Sequence, residues 1–465
     1  MYRNRFIVPV LRFGILAVTL TVEIVRMLLR RALLLLLTLV AFLAIPVCCP
    51  AKTTTTEAKA SQFAAHDSTA YSLPPEKMRK AVGLTRIRDV YYPADAIWLP
   101  VQIILILSLG LAARMRDFAV VLSKNRWAQG YAFFFLLLLT TTLLTLPLDM
   151  YRHHVGLAYG FSVQGWLSWF GDQAKSFGLT WLVGGLLTMI LFWVIRKSPT
   201  RWWLWFWMVA VVFTIAGVFI TPYVIDPLFN KFEPLSKSDP ALVQRLEQVV
   251  ARGGIAIPPE RMFLMKASAK VTTLNAYVTG FGASKRVVVW DTTIAKATPD
   301  EIAFIFAHES GHYALGHVVI GVAVTCVALL PFIWLGYHAV RLLLVRYGVA
   351  WRITSQQDWG ALVVLLLVLS ALSTISDPIA NGFSRMIEHN ADVYGQEAVH
   401  GIVADPQVVG RQAFQVLGED SLDDPTPDPF FEFWFDNHPP TRFRAAFSEA
   451  YDPWAAGEHP KYFVK

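Results

Sequence analysis

Charged residues are scarce in this chain of 465 residues. They make up 16% of it, whereas a soluble globular domain carries about 25%, and hydrophobic residues make up 55%. The mean hydropathy is +0.45. A chain of this composition has more apolar surface than a soluble core can bury, which excludes a purely soluble multidomain protein. The length is better explained by several membrane spans and one polar portion.

Cysteine is also scarce: the chain has only Cys48, Cys49 and Cys326. Two of them are adjacent and the third lies in an apolar run, which excludes a disulfide framework and a zinc site of paired cysteines. The net charge is +7, and basic residues flank the apolar segments, where they anchor spans at anionic lipid. Because no basic-aromatic module is visible, we expect membrane lipids as partners and no nucleic acid.

Long apolar runs are what the sequence has instead. A helical span needs about 20 mostly apolar residues. Seven segments approach or meet that length, at approximately 32–48, 97–113, 131–148, 178–195, 203–221, 318–337 and 360–377. Segment 6–29 is apolar but interrupted by charges, so it is either an interfacial helix or an eighth span. The pair Arg30-Arg31 before the first run is typical of a signal peptide or signal anchor, and we expect a retained anchor.

The fold class predicted from this pattern is mainly α, a multi-pass helical membrane protein of about seven spans with a small α+β portion. The expected segments are an N-terminal anchor over 1–48, a polar loop over 49–96, four spans over 97–221, a polar portion over 222–317, two spans over 318–377 and a C-terminal polar portion over 378–465.

The polar portion carries its own folding signals. Residues 242–254 predict an amphipathic helix closed by glycine, and 261–266 and 285–291 predict two short strands. A further helix is expected to begin near Thr298, which is followed by proline and two acids.

The strongest motif is His308-Glu309-Ser310-Gly311-His312. On a helix, residues i and i+4 lie one turn apart on one face, so both imidazoles can reach one ion. The intervening glutamate is suited to take a proton from a metal-bound water, whose pKa zinc lowers toward about 7. The motif therefore predicts one Zn²⁺ and a zinc metallopeptidase.

A peptidase zinc needs a third protein ligand and one open position. The metzincin pattern would place a histidine where the chain has Val318, which excludes that pattern. Glu388 and Asp392 stand at i and i+4 of a predicted helix. Glu388 could bind zinc while Asp392 accepts a hydrogen bond from a ligand histidine. The alternative is that this acidic pair is only a solvated helix face.

Four other histidines are interpreted as non-ligands. His317 would point away from the metal if the zinc helix continued through it, and it is interpreted as an end-of-helix residue at the membrane edge. His153 and His154 are predicted to be interfacial loop residues. His389 is predicted to be structural, because it faces off the ligand side of its helix.

Several motifs, in the same order, resemble the type I CAAX prenyl endopeptidases, intramembrane zinc proteases of the eukaryotic endoplasmic reticulum with bacterial relatives. The motifs lie at 71–75, 227–235, 275–280, 285–291, 308–312, 384–392 and 438–444. The resemblance covers about 220–450 and, more loosely, the chain from about 70.

The resemblance implies zinc ligands and a general base, namely His308, His312 and Glu388 for the metal and Glu309 for the base. It also implies that Asn275 and His438 contact the substrate backbone or the developing oxyanion, to which an amide and an imidazole can donate. Arg444 is expected to brace the site through Asp392 or Glu388.

Two further expectations concern the substrate. The strand near 285–290 is expected to pair with an extended peptide. Segment 156–162 departs from the family, because it lacks both an acidic residue and an asparagine that family members often carry there. That departure weakens any transfer of the family's substrate preference to this chain.

The function predicted is a membrane-embedded zinc endopeptidase that hydrolyses peptide bonds of membrane-associated or prenylated-type peptides by metal-activated water. One alternative is a quality-control protease for membrane or exported proteins, with no requirement for a lipid. A transporter or assembly factor with an incidental motif is a weaker alternative, because the spans are nearly free of charge and no internal repeat is visible.

Orientation is the point on which the indications conflict. The expected membrane is the bacterial inner membrane or the endoplasmic reticulum. Loops 114–130, 196–202 and 338–359 are basic, which places them in the cytoplasm and both catalytic portions on the opposite side. The resemblance instead implies cleavage on the cytosolic side. We give more weight to the charges, because they belong to this chain.

Overall fold

A computed structural model of the protein describes residues 70–255, 257–280 and 285–463. The expected anchor at 32–48 and the apolar segment 6–29 lie outside these residues. All of the described structure belongs to one compact unit.

Six helices in the described part of the chain are long and apolar enough to cross a membrane. They are α1 (Pro75–Ser108), α3 (Arg126–Ala158), α4 (Trp166–Lys197), α5 (Trp202–Ile220), α9 (His317–Trp351) and α10 (Ala361–Ala398). A shorter helix, α2 (Leu111–Leu122), follows α1. Helix α5 is extended by a π-helical turn, Thr221–Ile225, and one α-helical turn, Asp226–Phe229. The six long helices correspond to the six spans predicted after residue 96, although segment 97–113 runs past the end of α1 at Ser108 into α2.

The outer faces of these helices are apolar. Leu182, Val345 and Val349 are 61%, 88% and 86% exposed in the isolated chain. Apolar surface of this extent requires a partner, and along a ring of spanning helices the partner is lipid. The protein is therefore an integral, multi-pass membrane protein.

The polar portion contains a four-stranded sheet and several shorter helices. The strands are β1 (Phe232–Pro234), β2 (Met262–Met265), β3 (Ala276–Thr279) and β4 (Arg286–Trp290). The helices are α6 (Pro240–Arg252), α7 (Asp291–Lys296), α8 (Pro299–Ala314), α11 (Pro406–Ser421), α12 (Pro429–Phe435) and α13 (Thr441–Ala450). Short helical turns occur at Leu235–Ser238, Pro259–Arg261 and Ala267–Ala269.

The order of the strands in the sheet is β1-β2-β4-β3. Strand β4 is parallel to β2, with Leu264 opposite Val289, and antiparallel to β3, with Ala276 opposite Val289. Both sides of β4 are therefore occupied. The prediction that the strand near 285–290 pairs with a peptide was wrong, because its backbone groups already bond within the sheet. Strand β3 lies at the edge instead.

Two predicted boundaries also differ from the structure. The polar loop over 49–96 was wrong from residue 75 onward, because α1 begins at Pro75, with proline at the first turn. The first part of α1 is polar, so the sequence predicted only the apolar part of this helix, from residue 97. The predicted span 360–377 and the predicted helix of Glu388 form one continuous helix, α10, although Pro378 lies inside it.

Helices α8 and α10 are packed closely against each other. A side chain at Gly395 of α10 would lie 3.0 Å from the backbone nitrogen of His308, and one at Gly311 of α8 would lie 3.0 Å from Cβ of Tyr394. Each glycine thus lets the partner helix approach. The buried face of α8 includes Ile302 and Phe306, 2% and 0% exposed, within the main core of the polar portion.

The basic loops meet at one end of the helical bundle. Arg116 forms an ion pair with Asp358. Trp202 donates to Gln356 at 3.0 Å, and Gln356 donates to the carbonyl of Pro199 at 2.8 Å. Helix α9 runs from α8 toward this end and α10 runs back from it, so the basic end lies far from α8.

Replacing Gly395 with leucine is expected to destabilise the protein. The added side chain would press on the backbone of His308, and overpacking of this kind costs about 1–3 kcal/mol. The measurement is the thermal unfolding midpoint of the purified protein in detergent. The matched control is Gly321→Leu on α9, where an added Cβ meets nothing within 4 Å. Equal midpoints for the two variants would contradict the close packing described above.

Candidate metal centre

Helix α8 holds two histidines at a fixed separation. It begins with a capping box, in which the Thr298 side chain accepts from the backbone of Glu301 and the Glu301 carboxylate accepts from the backbone of Thr298. Pro299 occupies the first turn, as the sequence predicted. The helix is thereby fixed at its start, and His308 and His312 project from one face with their Nε2 atoms 3.2 Å apart.

Helix α10 adds a carboxylate to this pair. The carboxylate oxygens of Glu388 lie 3.3 Å from Nε2 of His308 and 3.4 Å from Nε2 of His312. One ligand atom from each of the three residues lies within 4.8 Å of the others. The three residues come from helices that are separated in sequence by the whole of α9, so the cluster exists only when α8 and α10 pack together.

The cluster fits a divalent metal ion. His308 and Glu388 are 6% and 7% exposed, and Oε2 of Glu388 is buried without a hydrogen-bond partner. Two imidazole nitrogens and a carboxylate oxygen are the donor set that zinc accepts in catalytic sites, where a fourth position stays open. A buried carboxylate beside two imidazoles is costly without a cation, so the donor set favours a bound metal.

A second carboxylate orients one of the histidines. Asp392 is fully buried, and its Oδ1 lies 2.8 Å from Nδ1 of His308. Arg444 of α13 donates to the same oxygen at 2.6 Å. The guanidinium also lies 3.7 Å from Glu388. Arg444 therefore supplies the positive charge that offsets Asp392, and α13 is tied to the cluster through it.

Glu309 lies beside the cluster. Its carboxylate is 4.0 Å from Nε2 of His308, and its side chain is 25% exposed, more than that of Glu388. Burial raises the pKa of Glu309 to about 7. A carboxylate with a pKa near neutrality is able to both accept and release a proton at physiological pH.

His438 and Asn275 both line the small cavity at the cluster. Nε2 of His438 lies 3.3 Å from Oε2 of Glu388, and its Nδ1 lies 2.7 Å from Oδ1 of Asn437. Burial lowers the pKa of His438, which favours the neutral imidazole. Asn275 is held by its backbone, since its N–H donates to Thr293 at 2.9 Å and its carbonyl accepts from Trp290 at 3.1 Å.

Two cavities that share lining residues lie near the cluster. The smaller, of about 120 Å³, is lined by Asn275, His308, Glu309, His438 and Arg444 among others. The larger, of about 810 Å³, shares Asn275, His438 and Arg444 with it and extends along α1 to Asp377 in the middle of α10. We call this larger cavity the chamber. The smaller cavity therefore lies between the chamber and the cluster residue His308.

Sequence reasoning missed part of the surroundings of the metal cluster. His317 lies against His312, with their Nδ1 atoms 3.2 Å apart, because α8 ends at Ala314. Gly316 was the feature of the sequence that could have indicated this helix end, because a glycine commonly follows the last turn of a helix. Here it adopts a φ of 70°.

The prediction for two other histidines was wrong. His153 and His154 lie within α3 and not in a loop. His153 is 7% exposed, stacked on Trp169 and edge-on to Trp166. His389 packs against Phe443 and Phe447, away from the cluster.

The comparisons with known proteins agree with this geometry. Residues 68–231 match the family model described as CAAX prenyl protease N-terminal, five membrane helices, and residues 236–450 match Peptidase family M48. The uncharacterized metalloprotease YhfN of Bacillus subtilis is 33% identical over 334 residues, 71% of this chain and 75% of that protein. CAAX prenyl protease 1 of Saccharomyces cerevisiae is 36% identical over 195 residues, 41% of this chain and 42% of that protein.

A solved structure shows the same fold. Ste24p of S. mikatae superimposes with a TM-score of 0.70 at 24% identity, covering 83% of this chain and 96% of the other. The two family models together extend over nearly all of the described residues. A metal cluster on a helix pair, six candidate spans and these matches lead to one assignment. The chain belongs to peptidase family M48 and carries the N-terminal membrane module of the CAAX prenyl proteases, so it is a membrane metalloprotease.

Proposed function

We propose that the protein is a zinc endopeptidase that cleaves a peptide chain reaching the cluster from the chamber. The observation that carries the proposal is the cluster of His308, His312 and Glu388, with Glu309 beside it and a small cavity there that shares lining residues with the chamber. The three clustered residues are the ligands of one Zn²⁺. When bound, zinc supplies Lewis acidity for water activation and carbonyl polarisation.

Each nearby side chain then has a role of its own. Glu309 accepts a proton at its carboxylate from the attacking water and returns it to the leaving amine, a task for which a pKa near 7 is suitable. Asp392 accepts from Nδ1 of His308, which leaves Nε2 free to bind the metal. Arg444 holds Asp392 in place.

Asn275 and His438 contact the peptide at the reacting carbonyl. Both line the small cavity, on the wall shared with the chamber. An amide N–H and an imidazole N–H donate to the negative charge that develops on the carbonyl oxygen. Nε2 is the nitrogen of His438 that faces the site, since its Nδ1 donates to Oδ1 of Asn437, and Nε2 donates to the carbonyl oxygen when the ring is protonated on both nitrogens.

The edge strand β3 is the backbone partner of the peptide. The carbonyl of Asn275 points toward β4, where it accepts from Trp290. Because successive residues of a strand point their backbone groups to opposite sides, those of Ala276 and Val278 face the free edge. Strand β3 packs against α8, so in the proposed complex a peptide added at that edge runs past Glu309 in an extended form.

The substrate class follows from the position of the chamber. Its walls include Tyr92 and Asp95 of α1 and Asp377 of α10, residues of spanning helices. A peptide anchored at the membrane, as a prenylated peptide is, can enter it without leaving the lipid surface. Several relatives are named CAAX prenyl protease 1 or homologues of it. We therefore propose that the substrates are membrane-associated peptides of the prenylated type. The experiment below also tests whether a peptide without a lipid is cleaved.

Replacing Glu309 with glutamine tests the mechanism. The expected result is a fall in turnover of about 10²- to 10⁴-fold, because glutamine cannot accept the proton, with one zinc per chain retained. Purified protein in detergent is assayed with two peptides of one sequence, one farnesylated on a C-terminal cysteine and one not, by mass spectrometry of the products.

The outcomes of this experiment separate the alternatives. His308→Ala is the matched control, which should lose zinc as well as activity. Unchanged turnover in Glu309→Gln would remove Glu309 from the mechanism. Equal cleavage of both peptides would support a quality-control protease with no lipid requirement. Absence of stoichiometric zinc in the wild-type protein would contradict the proposal that it is a zinc endopeptidase.

Pairing with β3 predicts a periodic effect of peptide N-methylation. Methylating single backbone nitrogens on one side of the scissile bond should lower kcat/KM roughly fivefold to tenfold at every second residue, where an N–H would bond the strand edge. The intervening positions, whose N–H groups point away from β3, serve as controls. A uniform effect, or no effect, along the peptide would contradict strand addition.

The basic end of the bundle predicts the orientation of the protein. Arg116 in α2, Arg201 before α5 and Arg352 after α9 lie at this end, which has the positive charge typical of the cytoplasmic side. The metal cluster lies at the other end of α9 and α10. A reporter enzyme fused after Lys465 is therefore expected to act only outside the cytoplasm, and a fusion within loop 196–202 only inside it. The reverse pattern would contradict the proposed orientation.

A further inference from the structure

One contact of the metal cluster has no role in the function proposed above. It joins His312 on α8 to His317, the first residue of α9. The two Nδ1 atoms lie 3.2 Å apart, and the rings meet edge to face at 74°, with centroids 5.1 Å apart. The distance is that of a hydrogen bond, so one nitrogen donates and the other accepts.

The contact is produced by the turn between the two helices. Helix α8 ends at Ala314, and Gly316 adopts a φ of 70°, a conformation that residues with a Cβ rarely adopt. The amide of Gly316 donates back to the carbonyl of Tyr313, which closes the turn. Had α8 continued, His317 would lie five residues beyond His312 and point away from it. The turn brings its ring back toward His312.

The direction of the hydrogen bond follows from the other nitrogen of His312. Its Nε2 faces the cluster, 3.2 Å from Nε2 of His308 and 3.4 Å from Oε1 of Glu388. A nitrogen that binds a metal carries no proton, so the neutral ring carries its proton on Nδ1. Nδ1 of His312 is therefore the donor, Nδ1 of His317 is the acceptor, and His317 carries its own proton on Nε2.

The Nδ1 atoms of the two proposed ligand histidines thus have different partners. Nδ1 of His308 faces the carboxylate of Asp392, whose charge Arg444 offsets. Nδ1 of His312 faces a neutral imidazole. A second carboxylate at this place would add a negative charge to a site that already holds Glu388, Glu309 and Asp392. An imidazole accepts the hydrogen bond without adding charge.

We propose that His317 is a positioning residue for the metal centre. It accepts the hydrogen bond from Nδ1 of His312, and so fixes the tautomer and the plane of the ring that binds the metal. The proposal rests on the proposed zinc role of His312, and His317 itself is not a ligand. Partners of this kind typically change metal affinity by about 10- to 100-fold when they are removed.

A matched pair of variants tests this role. His317→Asn retains an acceptor at the position of Nδ1, whereas His317→Leu has a similar size and no acceptor. The readout is the dissociation constant for Zn²⁺, measured by competition with a chromogenic chelator on the purified full chain in detergent. The expected result is a rise of about 10- to 100-fold for the leucine variant and a value near wild type for the asparagine variant.

Each result either supports or overturns the proposal. Equal weakening in both variants would mean that packing, and not the hydrogen bond, is what His317 contributes. Affinity unchanged in both would overturn the role outright. If His317→Leu does not yield folded protein, His317→Ala replaces it in the comparison with His317→Asn.

One control separates this proposal from the proposed function. His308→Ala should abolish stoichiometric zinc binding if the proposed ligand set is right. Zinc retained in that variant would refute the ligand set itself. Zinc lost in His308→Ala but unaffected in both His317 variants would refute only the positioning role and leave the peptidase standing.

Discussion

The close approach of α8 and α10 is the constraint on which the rest of the site depends. Two ligands lie on one helix and the third on the other, and α9 separates the helices in sequence. Gly395 faces the backbone of His308, and Gly311 faces Tyr394, so the helices meet at a distance that larger residues would not allow. The metal site is therefore a product of membrane-helix packing. Helix α8 alone supplies two of the three donors, because Glu388 belongs to a helix that begins as a span.

Charge compensation is the second constraint, and it explains why α13 is part of the site. Asp392 is fully buried and Glu388 nearly so. Removing the partner from a buried ion pair costs about 3–5 kcal/mol, since one charge is then left uncompensated. Arg444 faces both carboxylates and is itself buried against Phe414. A bound divalent ion adds the positive charge that Glu388 still lacks. The C-terminal portion is thus tied to the metal centre by electrostatics as well as by packing.

Much of this arrangement was predictable from sequence, because it depends on local patterns. The apolar runs predicted all six of the candidate spans in the described part of the chain. The pair Thr298-Pro299 predicted the start of α8. The expected proximity of Glu388 and Asp392 to the histidines rested on family resemblance, since nothing local brings residues 308 and 388 together. What failed depends on non-local packing. Strand β4 lies inside the sheet because of the order of the strands, and its own sequence is equally compatible with an edge position and an interior position. His153 was assigned to a loop, although the aromatic residues around it make a buried position in α3 favourable.

The geometry of β3 connects these constraints to the reaction. An edge strand is a hazard in a soluble protein, because it offers unpaired backbone groups to any extended chain. Here β3 packs against α8, and Asn275, directly before the strand, lines the chamber, so the proposed peptide would reach the edge from there. Such a peptide would be selected by its access to the chamber and by its backbone. Asn275 begins the strand that would bind the peptide and also faces the cluster. Binding in register and placement of the reacting carbonyl would therefore be one event, which relates substrate extension directly to catalysis.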